Sequence, residues 1–152
     1  MSDAVSATAE VPIPPDEAFA LFTKGFGSWW PREFSWSQDV LQEIGIESVE
    51  GGFLYEIGPH GLRLDWGRVL AWEPPGRLVF SWQISPERVP EPNPAHASEV
   101  EVRFEPGGPG CRVVLQHRGF GRHAGNGDEY AEMMGTQAWP LALERFAGAA
   151  AG

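Results

Sequence analysis

Four histidines, one cysteine and an arginine set among tryptophans are the residues of this chain that bear chemistry, and their spacing narrows what that chemistry is. His60, His96, His117 and His123 form no close helical pair, and Cys111 is the only cysteine. Tetrahedral metal sites draw on clustered Cys and His, so no metal is expected. Cys111 follows a turn and points with an apolar strand face, which reads as a buried, inert thiol. Glycines at 119, 121, 125 and 127 are followed by no P-loop lysine and belong to no Rossmann unit, so bound phosphate is not expected either. There is no Gly-x-Ser-x-Gly elbow. The residues therefore call for no cofactor and present no catalytic constellation.

Two polar residues keep a functional reading. His117 continues an apolar strand face beyond Leu115. At a cavity wall it could orient a polar ligand group or act as acid or base; it could equally be a structural histidine satisfied by hydrogen bonds. Arg68 stands in a row with Trp66 and Leu70. It could anchor a ligand carboxylate or stack on Trp82, or a bulge near Gly67 turns it to solvent. The remaining signal is aromatic. Seven Trp and nine Phe occur in 152 residues. The set Trp36, Phe53, Tyr55, Trp66, Phe80, Trp82 and Trp139, with Met133 on a helix, either fills a core or lines a cavity for a small, largely apolar molecule.

Charge and composition exclude several classes of partner. The net charge is −10, and the single lysine, Lys24, belongs to no basic cluster. Nucleic acid and anionic membrane surfaces need a basic face. The N-terminus has no basic, apolar leader pattern, and no stretch approaches the about 20 apolar residues of a membrane span. A cytoplasmic, single-domain protein spanning 1–152 and ordered over about 4–147 is expected. A protein partner stays open.

The elements that must position these residues follow from pattern. Residues 4–11 alternate weakly and read as a strand. Pro14, Pro15, Asp16 and Glu17 open a helix, which Gly25 and Gly27 break before a short helical turn at 28–30. Strands are expected at 41–49, 53–58, 62–72, 78–84, 98–105 and 111–118, arranged as three successive hairpins. The face Leu62, Leu64, Trp66, Arg68, Leu70, Trp72 is read as facing the core. Pairing Glu99 with Arg118 and Glu105 with Arg112 would oppose unlike charges. The proline-rich segment 85–97 and the glycine-rich segment 119–127 read as loops. A helix over 128–147, capped by Asn126 or Asp128, carries Met133, Thr136, Trp139, Leu143 and Phe146. It should kink between Gly135 and Pro140 and fray beyond 147. A sheet with one apolar face needs one covering layer, and this helix is the long one available.

The segments PPDEAFALFTKGFGSWWP, GGFLYEIG, GRVLAWEPPGRLVFSW, VEVRFEPGGPGCRVVLQHRGF and AWPLALERF, in that order and spacing, resemble the family of the activator of the heat-shock-protein-90 ATPase. The likeness is to its bacterial single-domain branch within the START-like (SRPBCC) superfamily, and it runs from about residue 5 to 147. It implies an α+β helix-grip fold: a curved antiparallel sheet wrapped around a long C-terminal helix, two short helices after the first strand, and a cavity between sheet and helix. It implies no metal, nucleotide or covalent cofactor. Binding of a small apolar molecule in that cavity is the leading expectation. A co-chaperone-like protein-interaction role is the alternative, and a cofactor-independent enzyme using the same cavity is the third.

Overall fold

In the computed structural model, which describes residues 4–108, 110–123 and 127–152, seven antiparallel strands form one curved sheet in the order β1-β7-β6-β5-β4-β3-β2. The strands are β1 (Ala4–Val11), β2 (Glu43–Ile46), β3 (Phe53–Ile57), β4 (Arg63–Glu73), β5 (Arg77–Trp82), β6 (Ser98–Gly107) and β7 (Gly110–Arg118). Two short helices follow β1: α1 (Pro15–Thr23) and α2 (Phe26–Trp29). After β7 come α3 (Gly127–Met133), a π-helical turn (Met134–Ala138) and α4 (Trp139–Ala151). This is the α+β helix-grip architecture, with the C-terminal helix laid along the concave face of the sheet.

Alternation decides what each strand buries. Val100, Val102 and Phe104 of β6 and Val113 and Leu115 of β7 are all within 3% of complete burial. Their outward neighbours form an ion network in which Arg118 bonds Glu101 at 2.8 Å and Arg103 bonds it at 3.0 Å. The β6–β7 register pairs Glu99 with Arg118 and Glu105 with Arg112, as the charge pattern predicts.

In β4 the expected face breaks. Trp66 is buried and Val69 is buried, but Arg68 and Leu70 are exposed. The β3–β4 pairing slips beside Leu54 and Tyr55, and the β4–β5 pairing slips between Val69 and Ala71. Each slip inserts a residue and reverses the faces beyond it. Gly67, beside the first, lets β5 come close, because a Cβ there would stand 2.5 Å from the Ser81 carbonyl oxygen. Gly67→Ala must move backbone and is expected to cost about 1–3 kcal/mol in urea unfolding. A loss under about 0.5 kcal/mol, the size of an ordinary surface change, would show that the bulge tolerates a side chain.

A π turn interrupts the C-terminal helix in the segment where a kink is expected. Pro140 has no N–H for an ordinary i→i−4 bond, and the wider turn accommodates that. The inserted residue rotates the core face: Met134 replaces the expected Thr136, which is exposed and returns its hydroxyl to the Glu132 carbonyl at 2.8 Å. Gly135 lets β1 approach, since a Cβ there would meet Val5 at 2.8 Å. The helix runs to Ala151 and does not fray at 147, with Ala149 and Ala150 partly buried against the core. Two further expectations shift. The 41–49 strand shortens to β2, and Gly27 lies within α2. Asp128 occupies the first turn of α3, and the alternative cap Asn126 lies outside the described residues.

Candidate functional site: a tryptophan-walled cavity

Between the sheet and α3–α4 lies a cavity of about 290 Å³. Its floor is tryptophan. Trp30, Trp82 and Trp139 meet in pairs with ring centroids 5.5–6.3 Å apart, and Trp66 stacks on Trp30 at 5.8 Å. Each comes from a different element: the end of α2, β5, α4 and β4. The α3–α4 side adds Met133, Met134 and Ala138. The Trp66 indole nitrogen is buried and has no hydrogen-bond partner among the described residues.

Two loops close the mouth and are tied to each other. The Trp36 indole N–H donates to the Arg88 carbonyl at 2.7 Å. The Arg88 guanidinium donates to the Phe34 carbonyl, also at 2.7 Å. Below them is Glu56, a carboxylate 2% exposed, which accepts the Trp36 and Ser37 backbone N–H groups at 3.1 Å each. At the α3 end, Tyr130 accepts from the Trp82 indole at 2.7 Å and donates to the Ile84 carbonyl at 2.9 Å. Burial, above all, raises the Tyr130 hydroxyl's pKa, so it stays protonated as this donor role requires.

Of the ten residues the sequence picks out, five line this space: Trp36, Trp66, Trp82, Met133 and Trp139. Phe80 is 1% exposed and lies in the core. Phe53, Tyr55 and Arg68 are corrected to the opposite side of the sheet. Arg68 lies over the Phe53 ring at 4.7 Å, and Arg63 lies over Tyr55 at 4.6 Å. The reason is a choice of face. The strand FLYEI buries Leu54 and Glu56, while its aromatics are sheltered outside by arginines. Of the readings for Arg68, the bulge that turns it outward is the observed one.

His117 is corrected too, from the cavity wall to the layer behind it. It is 0% exposed. The Trp139 indole, which can only donate, bonds its Nδ1 at 3.0 Å. The imidazole proton therefore sits on Nε2 and goes to the Ser98 hydroxyl at 2.7 Å. Ser98 in turn donates to His123 Nε2 at 2.7 Å. Burial lowers the pKa of His117 well below 6.5, with the neighbouring His123 adding to it. Burial lowers His123 as well, partly opposed by the charge of Glu91. His117 is thus the neutral centre of a structural chain that fixes Trp139. Neither it nor Arg68 is placed to polarise a molecule in the cavity. Cys111 is buried, and burial raises its thiol pKa, away from reactivity.

The sequence reading misses Trp30, Glu56, Tyr130 and Arg88. Trp30 carried a signal, a second tryptophan directly before a helix-stopping Pro31. Arg88 carried none, because its part in the site is a loop conformation with φ of 64°. Among the described residues no group of three His, Cys, Asp or Glu side chains is arranged to hold a metal. Nor is any helix among them long and apolar enough to cross a membrane.

Comparison with known proteins agrees with this architecture. A solved structure of an anthrahydroquino-gamma-pyrone synthase, Txn09, is 30% identical, with 95% of each chain covered and a TM-score of 0.67. A protein from Mesorhizobium loti is 18% identical over 95% of this chain and 94% of its own, with a TM-score of 0.63. One from Nitrosomonas europaea is 13% identical over 97% and 93%, with a TM-score of 0.65. These last two likenesses speak to the fold alone. No curated protein matches. The family model described as Activator of Hsp90 ATPase homolog 1-like protein matches residues 12–151, and the chain belongs to that family.

Proposed function

We propose that this domain binds a small, flat, largely apolar aromatic molecule in the tryptophan-walled cavity. The observation that carries the reading is the wall itself: four tryptophans from four elements line a space of about 290 Å³. Interiors rarely leave a void larger than a water molecule, so a cavity this size needs a reason. Its volume is at the lower end of ligand pockets, about 300–1,000 Å³, which suits roughly two or three fused rings. Indole faces favour offset or edge-on contact with another π system, each worth about 0.5–1.5 kcal/mol beyond area burial. The 30% identical relative is named as a synthase of a fused-ring product, which supports the same ligand class here.

Titration with naphthalene and anthraquinone tests this. Saturable quenching of tryptophan fluorescence is expected, with a rise in melting temperature. A ligand at 100 times its Kd stabilises the native state by about 2.7 kcal/mol. Ala138→Phe, which places a ring in the cavity, should weaken binding at least tenfold. Absence of saturable binding by either probe, or equal binding by the filled variant, would remove the reading.

A further inference from the structure

Glu56 is the part of the wall that an apolar ligand leaves unexplained. A carboxylate offers about four lone-pair sites, and the Trp36 and Ser37 amides use two. No arginine, lysine or histidine among the described residues forms an ion pair with it. Buried charges are normally paired, because two neutral hydrogen bonds do not replace the water a carboxylate loses. Of the other polar groups at the cavity, the Trp66 indole N–H has no partner among the described residues but is a donor only and cannot accept from a ligand hydroxyl. Tyr130 both accepts and donates, and the Ser35 hydroxyl donates to the Arg32 carbonyl at 2.7 Å and accepts from the Gln38 amide at 2.9 Å. Glu56 alone combines almost complete burial, charge and unused acceptor capacity where a ligand would sit.

We propose that Glu56 anchors the ligand by accepting a hydrogen bond from its hydroxyl group, so that the cavity selects flat aromatic rings bearing a phenolic or enolic O–H over the same rings without one. This rests on the cavity being a ligand site. An O–H donated to a carboxylate makes a short, charge-assisted bond, roughly twice as strong as a neutral one. A hydroxyl carried into an apolar site without such a partner loses affinity. The two possibilities therefore differ in sign.

Calorimetric titration of the whole chain with naphthalene, 2-naphthol and 2-methoxynaphthalene separates them. The ether keeps the ring and the oxygen but has no proton to give. In the wild type, 2-naphthol is expected to bind at least tenfold more tightly than either other probe. In Glu56→Gln that preference should vanish while the naphthalene affinity changes less than twofold. Three results would overturn the proposal: 2-methoxynaphthalene matching 2-naphthol in the wild type, naphthalene binding as tightly as 2-naphthol, or a preference that survives in Glu56→Gln because all three probes weaken together. The first two need no variant, so a misfolded variant does not shield the proposal. Naphthalene bound without preference for the hydroxyl leaves the cavity reading standing and removes this one; no binding by any probe removes both.

Discussion

Replacing His117 by alanine is expected to lower the unfolding free energy by about 4 kcal/mol, the largest single effect predicted for this chain. Two costs combine. The imidazole is 0% exposed and packs on Phe120 at 4.1 Å and Trp82 at 5.4 Å, so its removal opens a void in an aromatic layer. It also leaves the Trp139 indole and the Ser98 hydroxyl, both buried, without the partner that joins them. An unsatisfied buried donor costs about 1–3 kcal/mol. His117→Phe separates the terms, since it refills most of the volume and restores no hydrogen bond; about half the loss should remain. Both are read from urea unfolding, with an unchanged slope as the sign that the two-state transition is intact. A loss below about 1 kcal/mol for the alanine variant would mean that the chain through Ser98 contributes little to stability.

Acidification from pH 7 to 5 should cost the wild type about 2 kcal/mol through His117 alone. The native state holds this imidazole neutral, because a proton on Nδ1 would face the Trp139 N–H. Its folded pKa is depressed well below 6.5, whereas the unfolded chain takes up the proton near that value. The unfolded state therefore binds more protons as the pH falls. Stability is full above about 6.5 and is lost below it, at about 1.4 kcal/mol per pH unit until the folded pKa is reached. His123, also lowered, acts in the same direction, with Glu91 opposing it. The charged sheet face does not confuse the window. Burial works against ionised Glu101, but hydrogen bonds from Arg77 and Arg118 hold its pKa below 4.5, so its contribution fails only at lower pH. Urea midpoints at pH 7, 6 and 5 should fall steadily in the wild type and by less than half as much in His117→Phe. Parallel lines would show that this histidine is not the proton-linked group.

Both expectations depend on contacts that join residues distant in sequence, and this marks what could be read in advance. The strand pattern, the two short helices, the interrupted C-terminal helix and the Glu99–Arg118 pairing follow from local rules, because alternation, prolines and charges act over a few residues. The resemblance in segments such as GRVLAWEPPGRLVFSW gave the order in which they assemble. The tryptophans were legible as a group, since so much indole has few places to go besides a core or a concave wall.

The faces of β3 and β4 were settled elsewhere. Period-two reading places Phe53, Tyr55 and Arg68 inside with Trp66, and chemistry favours it: aromatics in, glutamate out. The sheet does the opposite: β3 alternates without a break and buries Leu54 and Glu56, and in β4 the extra residues Trp66 and Leu70 break the row and leave Arg68 outside. A bulge is one extra residue; Gly67 marks where one can fall in β4, but no local pattern decides that it does. On β3, burying Leu54 also carries Glu56 inward, where the amides of Trp36 and Ser37, twenty and nineteen residues away, make its burial tolerable. The sequence by itself determined the elements, their order and an aromatic interior. Tertiary structure alone decided which aromatics face the cavity and that a carboxylate lies among them, because those outcomes depend on register and on hydrogen bonds between segments that meet only in the folded chain.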